Sequence, residues 1–354
     1  MPTRINIDGR EVGADAACFI IAEACDNHLG RLEVAKEMVR QAKACGADAI
    51  KFQHHLPDEE MLRDGVPMSG NFKIPLYDFL QLYALKLDHH SELKQYCSEL
   101  GITYLCTPFS RKAAEELNQL GVSAFKIGSG ELTDLPTLKV IASFGKPVIL
   151  STGMAEWDEI DETVKTLRPI NDQLVLMNCV SEYPARHADV NLGVIRKLQE
   201  RYGLVVGHSD HTPDIFTSVA AVAMGAKLLE KHFILDKRQP GPDQSVSIDA
   251  YDLYQLVQAT RRVEEALGAD KTVHELEKPI RVWAHRSVVS LRPISKGTRI
   301  TQDMIWTKRP GTGIPARHLD QLVGRIALID IPVDHLLRWE ELSEAKASAF
   351  EVVA

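Results

Sequence analysis

Two histidines stand in equivalent positions behind two consecutive strand-like segments. Residues 204–206 and 226–229 are short apolar runs, and each leads into a polar cluster with a histidine, His211 after the first and His232 after the second. Residues 217–224 between them are small and apolar, as in a buried helix. A strand–helix–strand unit of this kind brings the carboxyl ends of both strands to one edge. The spacing therefore predicts that both imidazoles face a single site.

Metal binding is the chemistry that two neighbouring imidazoles suit. Neutral imidazole is a good ligand for Mn²⁺ or Zn²⁺, and carboxylates or water complete the coordination shell. Asp210 and Asp243 are close to the histidines in sequence. One histidine behind a strand is most often an ordinary loop residue, so the prediction of a metal depends on the pair.

Polar residues recur behind nearly every other strand-like segment. In a barrel such residues converge on one pocket. Two lysines with several hydroxyls suit a phosphate and a carboxylate, and one acidic residue near the metal could move a proton. Each lysine alone could be solvated, and serines behind strands are common helix caps. The residues collected in this way are Glu23, Asn27, His28, Lys51, Gln53, Thr107, Ser110, Lys126, Ser129, Ser151, Ser181, Tyr183, Ser209, Asp210, His211, His232 and Asp243.

The elements that would position these residues alternate regularly. Eight strand–helix alternations within roughly 250 residues are typical of a (β/α)₈ TIM barrel, an α/β fold. A doubly wound open sheet is the second possibility, but no G-x-G-x-x-G follows the first strand. A short hairpin with Asp8-Gly9 as its turn precedes the barrel and is expected to cap one end. Residues 54–76 interrupt the alternation of strands and helices and are predicted to form a long loop, of the kind that serves as a lid.

The residue pattern changes in the C-terminal quarter of the chain. We predict a barrel domain over residues 1–270, a polar linker over 271–283 and a small mixed domain over 284–354. In the last segment short β-type runs alternate with turns such as SKGT and PGTG. Without the tail at 346–354 this domain has roughly 60 residues, which are few for a second enzymatic core.

Composition narrows the class of protein. A 354-residue chain with 45% hydrophobic residues and a net charge of −8 is an ordinary globular protein without the basic stripe of a nucleic-acid binder. No run approaches the roughly 20 apolar residues of a membrane span. The six cysteines are scattered and form no C-x-x-C pair, which predicts reduced thiols and a cytoplasmic location.

Several motifs in order resemble the sialic acid (N-acetylneuraminate) synthase family. They are AEACDNHLG, IKFQ, TPFSR, FKIGSGE, ILSTGM, GHSDHT, LLEKHF and GPDQS. The C-terminal run SVVSLRPISKGTRITQDMIWTKRPGTGI resembles the antifreeze-like (SAF) domain appended to those enzymes. The resemblance implies condensation of phosphoenolpyruvate with an N-acylated aminohexose, to a nine-carbon 2-keto-3-deoxy acid and phosphate.

The resemblance also implies roles for individual residues. His211 and His232 would bind a divalent metal, Mn²⁺ first with Mg²⁺ or Co²⁺ possible, and Glu23 and Asp243 would be catalytic. Asn27 and Asp243 would contact the sugar together with Arg309 of the partner subunit, which implies a domain-swapped homodimer. The phosphoenolpyruvate site would comprise Lys51, Gln53, Thr107, Lys126, Ser129, Ser151, Ser181, Tyr183 and Ser209.

The chain departs from the family pattern at two positions, and a third residue is of interest. Leu29 replaces a polar residue expected close to the sugar, and Ser181 stands where many members have Asn. Both changes bear on which aminohexose is used and on whether it is phosphorylated. Cys25 follows the first strand, and with two histidines available it is not predicted as a metal ligand.

Two other functions compete with the synthase. A metal-dependent keto-acid aldolase would use the same histidines and Glu23 but would have less need for phosphate-binding groups. A carbohydrate-binding or structural protein would not need the set of Glu23, His211, His232 and Lys126. Release of phosphate from phosphoenolpyruvate distinguishes the synthase from both.

Overall fold

The computed structural model describes residues 4–68, 72–239 and 241–344. It divides into two compact units, Met1–Gly268 and Ala269–Ala354. No helix in the described part of the chain is both long enough and apolar enough to cross a membrane.

The first unit contains a closed barrel of eight parallel strands in chain order, which confirms the predicted (β/α)₈ fold. The last strand pairs with the first, so that His232 is level with Glu23. The strands are β3 (Phe19–Glu23), β4 (Ala49–His54), β5 (Thr103–Pro108), β6 (Phe125–Ile127), β7 (Val148–Ser151), β8 (Leu174–Cys179), β9 (Val205–Asp210) and β10 (Leu228–His232).

The strand sequences themselves place polar groups at one end of the barrel interior. Side chains alternate between the two faces of a strand, so every second residue points inward. In β3 the inward residues Phe19 and Ile21 belong to an apolar interior cluster, and Glu23 follows them at the carboxyl end. In β10 the apolar Leu228 is likewise followed by polar inward residues. The barrel therefore has an apolar floor and a polar upper layer.

An N-terminal hairpin closes the floor, as predicted. Strands β1 (Arg4–Ile7) and β2 (Arg10–Gly13) pair antiparallel around Asp8 and Gly9, whose φ angles of 54° and 80° suit a tight two-residue turn. The hairpin residues Ile5, Ile7 and Val12 belong to the same buried cluster as the interior residues of the barrel.

Amphipathic helices cover the outside of the barrel. Three of them end at a left-handed glycine, Gly101, Gly121 or Gly203, the usual C-terminal stop. The helices of the first unit are α1 (Leu32–Ala44), α2 (Pro57–Glu60), α3 (Leu76–Tyr83), α4 (Leu87–Leu100), α5 (Arg111–Leu120), α6 (Leu135–Ser143), α7 (Trp157–Leu167), α8 (Gly193–Tyr202), α9 (Phe216–Ala223) and α10 (Ala250–Ala266).

The predicted loop at 54–76 is shorter than expected. Its first residue still belongs to β4, and the single-turn helix α2 interrupts it. Residues 69–71 of this segment lie outside the described part of the chain.

The second unit is small and has its own core. It contains α11 (Glu277–Ala284), β11 (Ser287–Ser290), β12 (Ile305–Lys308) and α12 (Leu319–Leu322), with β11 and β12 antiparallel. Helix α11 falls within the predicted polar linker. Buried aliphatic residues such as Val288, Ile305 and Leu322 form the core. Residues 345–354 of the predicted domain lie outside the described part.

Candidate active site

A cavity of about 380 Å³ opens at the carboxyl ends of the barrel strands. In barrels of this kind the loops at that end carry the chemistry. Most of the residues selected from the sequence line this cavity: Glu23, Lys51, Gln53, Thr107, Lys126, Ser129, Ser151, Ser181, Tyr183, Ser209, His211 and His232.

Lys51 is anchored by the neighbouring strands. Its Nζ lies 2.9 Å from Oε2 of Glu23 on β3 and donates a hydrogen bond of 2.9 Å to Oγ1 of Thr107 on β5. The lysine is buried, so it is not the solvated side chain that its position after a strand would also allow. Its neighbours therefore hold the ammonium group in a defined position in the cavity wall.

Lys126 occupies the equivalent position on β6. Its Nζ donates a hydrogen bond of 2.7 Å to Oγ of Ser151 and lies 3.4 Å from Oε1 of Glu230. Glu230 also accepts a hydrogen bond of 3.0 Å from Ser209 and lies 3.8 Å from Lys51. The two lysines therefore share one carboxylate, that of Glu230, which also lines the cavity.

Sequence reasoning missed Glu230. It lies two residues before His232 in β10, so it projects from the same face of the strand. That spacing was the available signal, because a charged residue within a barrel strand and in phase with a predicted ligand must face the same interior.

Three residues from successive loops form a tight polar wall. A Cβ at Gly153 would lie 2.4 Å from Oγ of Ser181 and 2.7 Å from Oγ of Ser129, too close for a real side chain. The backbone N–H of Gly153 donates a hydrogen bond of 3.1 Å to Ser129. Gly153 is therefore required for close approach, and the wall presents two hydroxyls to the cavity.

His211 is held in a defined tautomer. Its Nδ1 lies 2.6 Å from the carbonyl oxygen of Val180, which fixes the proton on Nδ1, and Nε2 then accepts a hydrogen bond of 3.0 Å from the hydroxyl of Tyr183. The ring centroids of His211 and His232 are 5.1 Å apart. The structure thus brings the two histidines together, as their spacing predicts.

His232 has a buried ring nitrogen that lacks a partner. Its Nδ1 makes no hydrogen bond and lies 3.6 Å from Oδ2 of Asp243. Three side chains, those of Cys25, His232 and Asp243, each offer one ligand atom, and these three atoms lie within 4.8 Å of one another. Nitrogen, sulfur and carboxylate donors around an orphaned imidazole nitrogen fit a divalent metal.

The two buried carboxylates of the upper layer have different proton affinities. Burial raises the pKa of Glu23 to about 7, against the opposing charge of Lys51. Burial also disfavours ionised Glu230, but Lys126 and Lys51 together lower its pKa. Glu230 is therefore the permanent anion, and Glu23 is the carboxyl group able to exchange a proton near neutral pH.

Asn27 is not one of the residues that line the cavity. The amide of Asn27 donates hydrogen bonds of 3.0 Å to the carbonyl of Phe233 and to Oγ of Ser247, which ties the loop after β3 to the loop after β10. Arg309 belongs to the second unit, where its guanidinium carbon lies 5.3 Å from the centre of the Trp283 ring.

Leu29, a departure from the family pattern, lies in apolar surroundings. Together with Phe79 and Tyr83 it lines a cavity of about 300 Å³. Its φ angle is 48°, an unusual value for a branched aliphatic residue.

Known proteins are similar to this chain in sequence and in fold. Residues 38–272 match the model of the NeuB family, and residues 285–343 match that of the SAF domain. An uncharacterized protein of Methanocaldococcus jannaschii is 40% identical over 96% of this chain and 98% of its own length. The N,N'-diacetyllegionaminic acid synthase of Legionella pneumophila is 38% identical over 93% of this chain and 96% of its own. The crystal structure of N-acetylneuraminic acid synthetase from Leptospira borgpetersenii matches with a TM-score of 0.70 at 30% identity, over 78% of this chain and 94% of that one.

Proposed function

The chain belongs to the NeuB family, and from this premise we propose that it is a nonulosonic acid synthase. It condenses phosphoenolpyruvate with an N-acylated aminohexose, forming a nine-carbon 2-keto-3-deoxy acid and phosphate. The observation that carries the proposal is the pair of buried lysines, Lys51 and Lys126, beside two adjacent imidazoles at the mouth of the barrel. A keto-acid aldolase would have less need for groups that bind a phosphate in addition to a carboxylate.

The phosphoenolpyruvate site is assigned to the lysine side of the cavity. Lys51 and Lys126 offer positive charge, and the wall around Gly153 adds the hydroxyls of Ser129 and Ser181. Phosphate and carboxylate both need dense hydrogen-bond donation. We assign the substrate to Lys51, Gln53, Thr107, Lys126, Ser129, Ser151, Ser181, Tyr183 and Ser209.

The reaction joins C3 of phosphoenolpyruvate to the aldehyde carbon of the sugar. Water then adds at C2, and cleavage of the bond between C2 and the bridging oxygen releases phosphate. Glu23 accepts the proton of that water, since its pKa is about 7 and it faces the cavity. The two lysines stabilise the charge that grows on the departing phosphate.

His211, His232 and Asp243 would hold a divalent metal. When bound, it supplies Lewis acidity at the aldehyde oxygen of the sugar. Mn²⁺ is the first candidate for a set of imidazoles and a carboxylate, with Mg²⁺ or Co²⁺ as alternatives. The hydrogen bond from His211 to the carbonyl of Val180 would hold that ring in the orientation of a ligand.

The sugar would lie on the side of Asn27 and Asp243. Asn27 Oδ1 is buried and lacks a hydrogen-bond partner. In a domain-swapped homodimer, Arg309 of the partner subunit would contact the N-acyl group.

The proposed domains are a barrel at 1–270, a linker at 271–283 and an antifreeze-like domain at 284–354. The six free cysteines support a reducing, cytoplasmic location.

A substrate panel tests the proposal. Purified protein is incubated with phosphoenolpyruvate and a series of N-acylated aminohexoses, free and 6-phosphorylated, with and without Mn²⁺, and liberated phosphate is measured. We expect metal-dependent phosphate release with at least one aminohexose, and none with phosphoenolpyruvate alone. His232→Ala should abolish release while circular dichroism stays unchanged, whereas full activity after chelation or in that variant would refute the assigned metal role.

A further inference from the structure

We infer that the thiol of Cys25 is a ligand of the metal, together with His232 and Asp243. The inference deepens the proposed function, because it names a donor that the two histidines alone do not supply. It concerns the chemistry of the ion and can be tested without either substrate.

The geometry of three side chains carries the inference. Cys25, His232 and Asp243 are the only group of three His, Cys, Asp or Glu residues within the described ranges whose ligand atoms all lie within 4.8 Å of one another. Ligand atoms around one ion are about 3–4 Å apart, given bond lengths of about 2.0–2.3 Å. Small side-chain rotations are therefore sufficient to close the group around a cation.

The donors of this group point toward one another and away from solvent. The Cys25 side chain is completely buried, and its sulfur lies within 4.8 Å of a carboxylate oxygen of Asp243. His232 is 4% exposed, and its Nδ1 is buried without any hydrogen-bond partner. Other histidines also have an unpaired buried ring nitrogen, but within the described ranges only that of His232 belongs to a group of three close ligand residues, which distinguishes it as a candidate for a cation.

The backbone at Cys25 gives an independent argument. Its φ angle is 39°, in the left-handed region that glycine adopts without strain and other residues rarely enter. A side chain retained in that conformation is strained, and such strain is concentrated at functional sites. The strained conformation is the one that holds the thiol against His232 and Asp243.

The chemical consequence is a change in the preferred metal. Thiolate is a softer donor than carboxylate or water, so it favours Co²⁺ or Zn²⁺ over Mn²⁺ and Mg²⁺. Coordination breaks the S–H bond, forms a sulfur–metal bond and releases the proton to solvent.

Titration of the metal-free, full-length protein with Co²⁺ tests the inference directly. We expect a near-ultraviolet sulfur-to-cobalt charge-transfer band in the unmodified protein and its loss in Cys25→Ser. The dissociation constant for Co²⁺ should rise by about tenfold to hundredfold, with a smaller change for Mn²⁺. Cys25→Gly, which suits the left-handed backbone, should give the same spectral loss with the fold intact by circular dichroism.

Two matched cysteine variants make the result specific. Cys179→Ser removes the thiol 3.9 Å from Nδ1 of His211, and Cys45→Ser removes a thiol that hydrogen-bonds a helix carbonyl far from the cavity. Both should keep the band. Absence of the band in the unmodified protein, or its loss in Cys179→Ser and retention in Cys25→Ser, overturns the inference. If the band behaves as expected but no aminohexose supports phosphate release, the proposed function fails and the thiol ligand stands.

Discussion

At the scale of single residues, the site is a network of buried charges that compensate one another. Glu23 contacts Lys51, while Glu230 lies between Lys51 and Lys126. Removing one member of a buried pair leaves an uncompensated charge, which typically costs about 3–5 kcal/mol. The network therefore constrains the fold as well as the chemistry, and a variant must be judged by stability and kinetics together.

Lys126→Met should affect one substrate selectively. The change removes the donor to Ser151 and half of the positive charge opposite the phosphate, so kcat/KM for phosphoenolpyruvate should fall about 10²–10³-fold. The KM for the aminohexose should change little when phosphate release is measured at varied concentrations of the aminohexose. The exposed Lys139→Met is the control. An equal loss for both substrates would contradict the assignment.

His90 predicts a dependence of stability on pH that is independent of catalysis. Burial and the neighbouring His54 hold its pKa well below the ordinary value. Below about pH 6.5 His90 binds a proton in the unfolded chain but not in the folded chain. The free energy of unfolding therefore decreases as the pH falls below that value. One such proton corresponds to about 1.4 kcal/mol per pH unit.

His90→Asn should weaken that dependence. Asparagine keeps a polar group for the hydroxyl of Tyr104, which lies 2.8 Å from Nδ1 of His90. Urea unfolding between pH 6.5 and 5 should show a slope of free energy against pH that is flatter by about 1.4 kcal/mol per unit. An unaltered slope in His90→Asn would show that His90 is protonated in the folded state.

At the scale of elements, the strands set the depth of each side chain and the loops set the walls. Inward positions of β3 and β10 pass from apolar to charged toward their carboxyl ends, so the chemistry lies above a packed floor. The hydroxyl wall comes from loops after β6, β7 and β8, and Gly153 permits its close contact.

Gly153→Ala should disrupt this wall without unfolding the barrel. The added methyl group would displace Ser129 and Ser181, so kcat/KM for phosphoenolpyruvate should fall by about tenfold to hundredfold. Gly193→Ala at the start of α8, where a Cβ meets no atom within 4 Å, is the control for adding a methyl group. Unchanged kinetics in Gly153→Ala would show that the two serines do not contact the substrate.

At the scale of the whole molecule, the proposal assigns residues of one active site to two different chains. His232 belongs to the barrel unit and Arg309 to the second unit. If Arg309 completes the site of the partner subunit, then each active site combines the barrel of one chain with the arginine of the other.

Mixing two inactive variants tests this arrangement. His232→Ala and Arg309→Ala homodimers should each be impaired, but co-expression gives heterodimers in which one of the two sites has both residues intact. Random pairing should restore about a quarter of the unmodified activity. Activity that never exceeds the average of the two homodimers would place Arg309 outside the site of its partner.

The sequence by itself determined the barrel and most of the site. Strand residues alternate with period two and helices with period 3.6, so local patterning fixes which elements form and which residues end each strand. Since all eight strands of a parallel barrel end on one rim, Lys51, Lys126, His211 and His232 could be grouped from their positions alone.

Only the tertiary structure decided how those residues are paired. Glu230 proved to be the shared counterion of two lysines from distant strands, and Cys25 lies against His232 and Asp243 from the far end of the barrel sequence. These contacts exist because β10 closes onto β3, bringing together residues more than 200 positions apart. Local periodicity contains no information about such distances, since they depend on the stagger and closure of the strands.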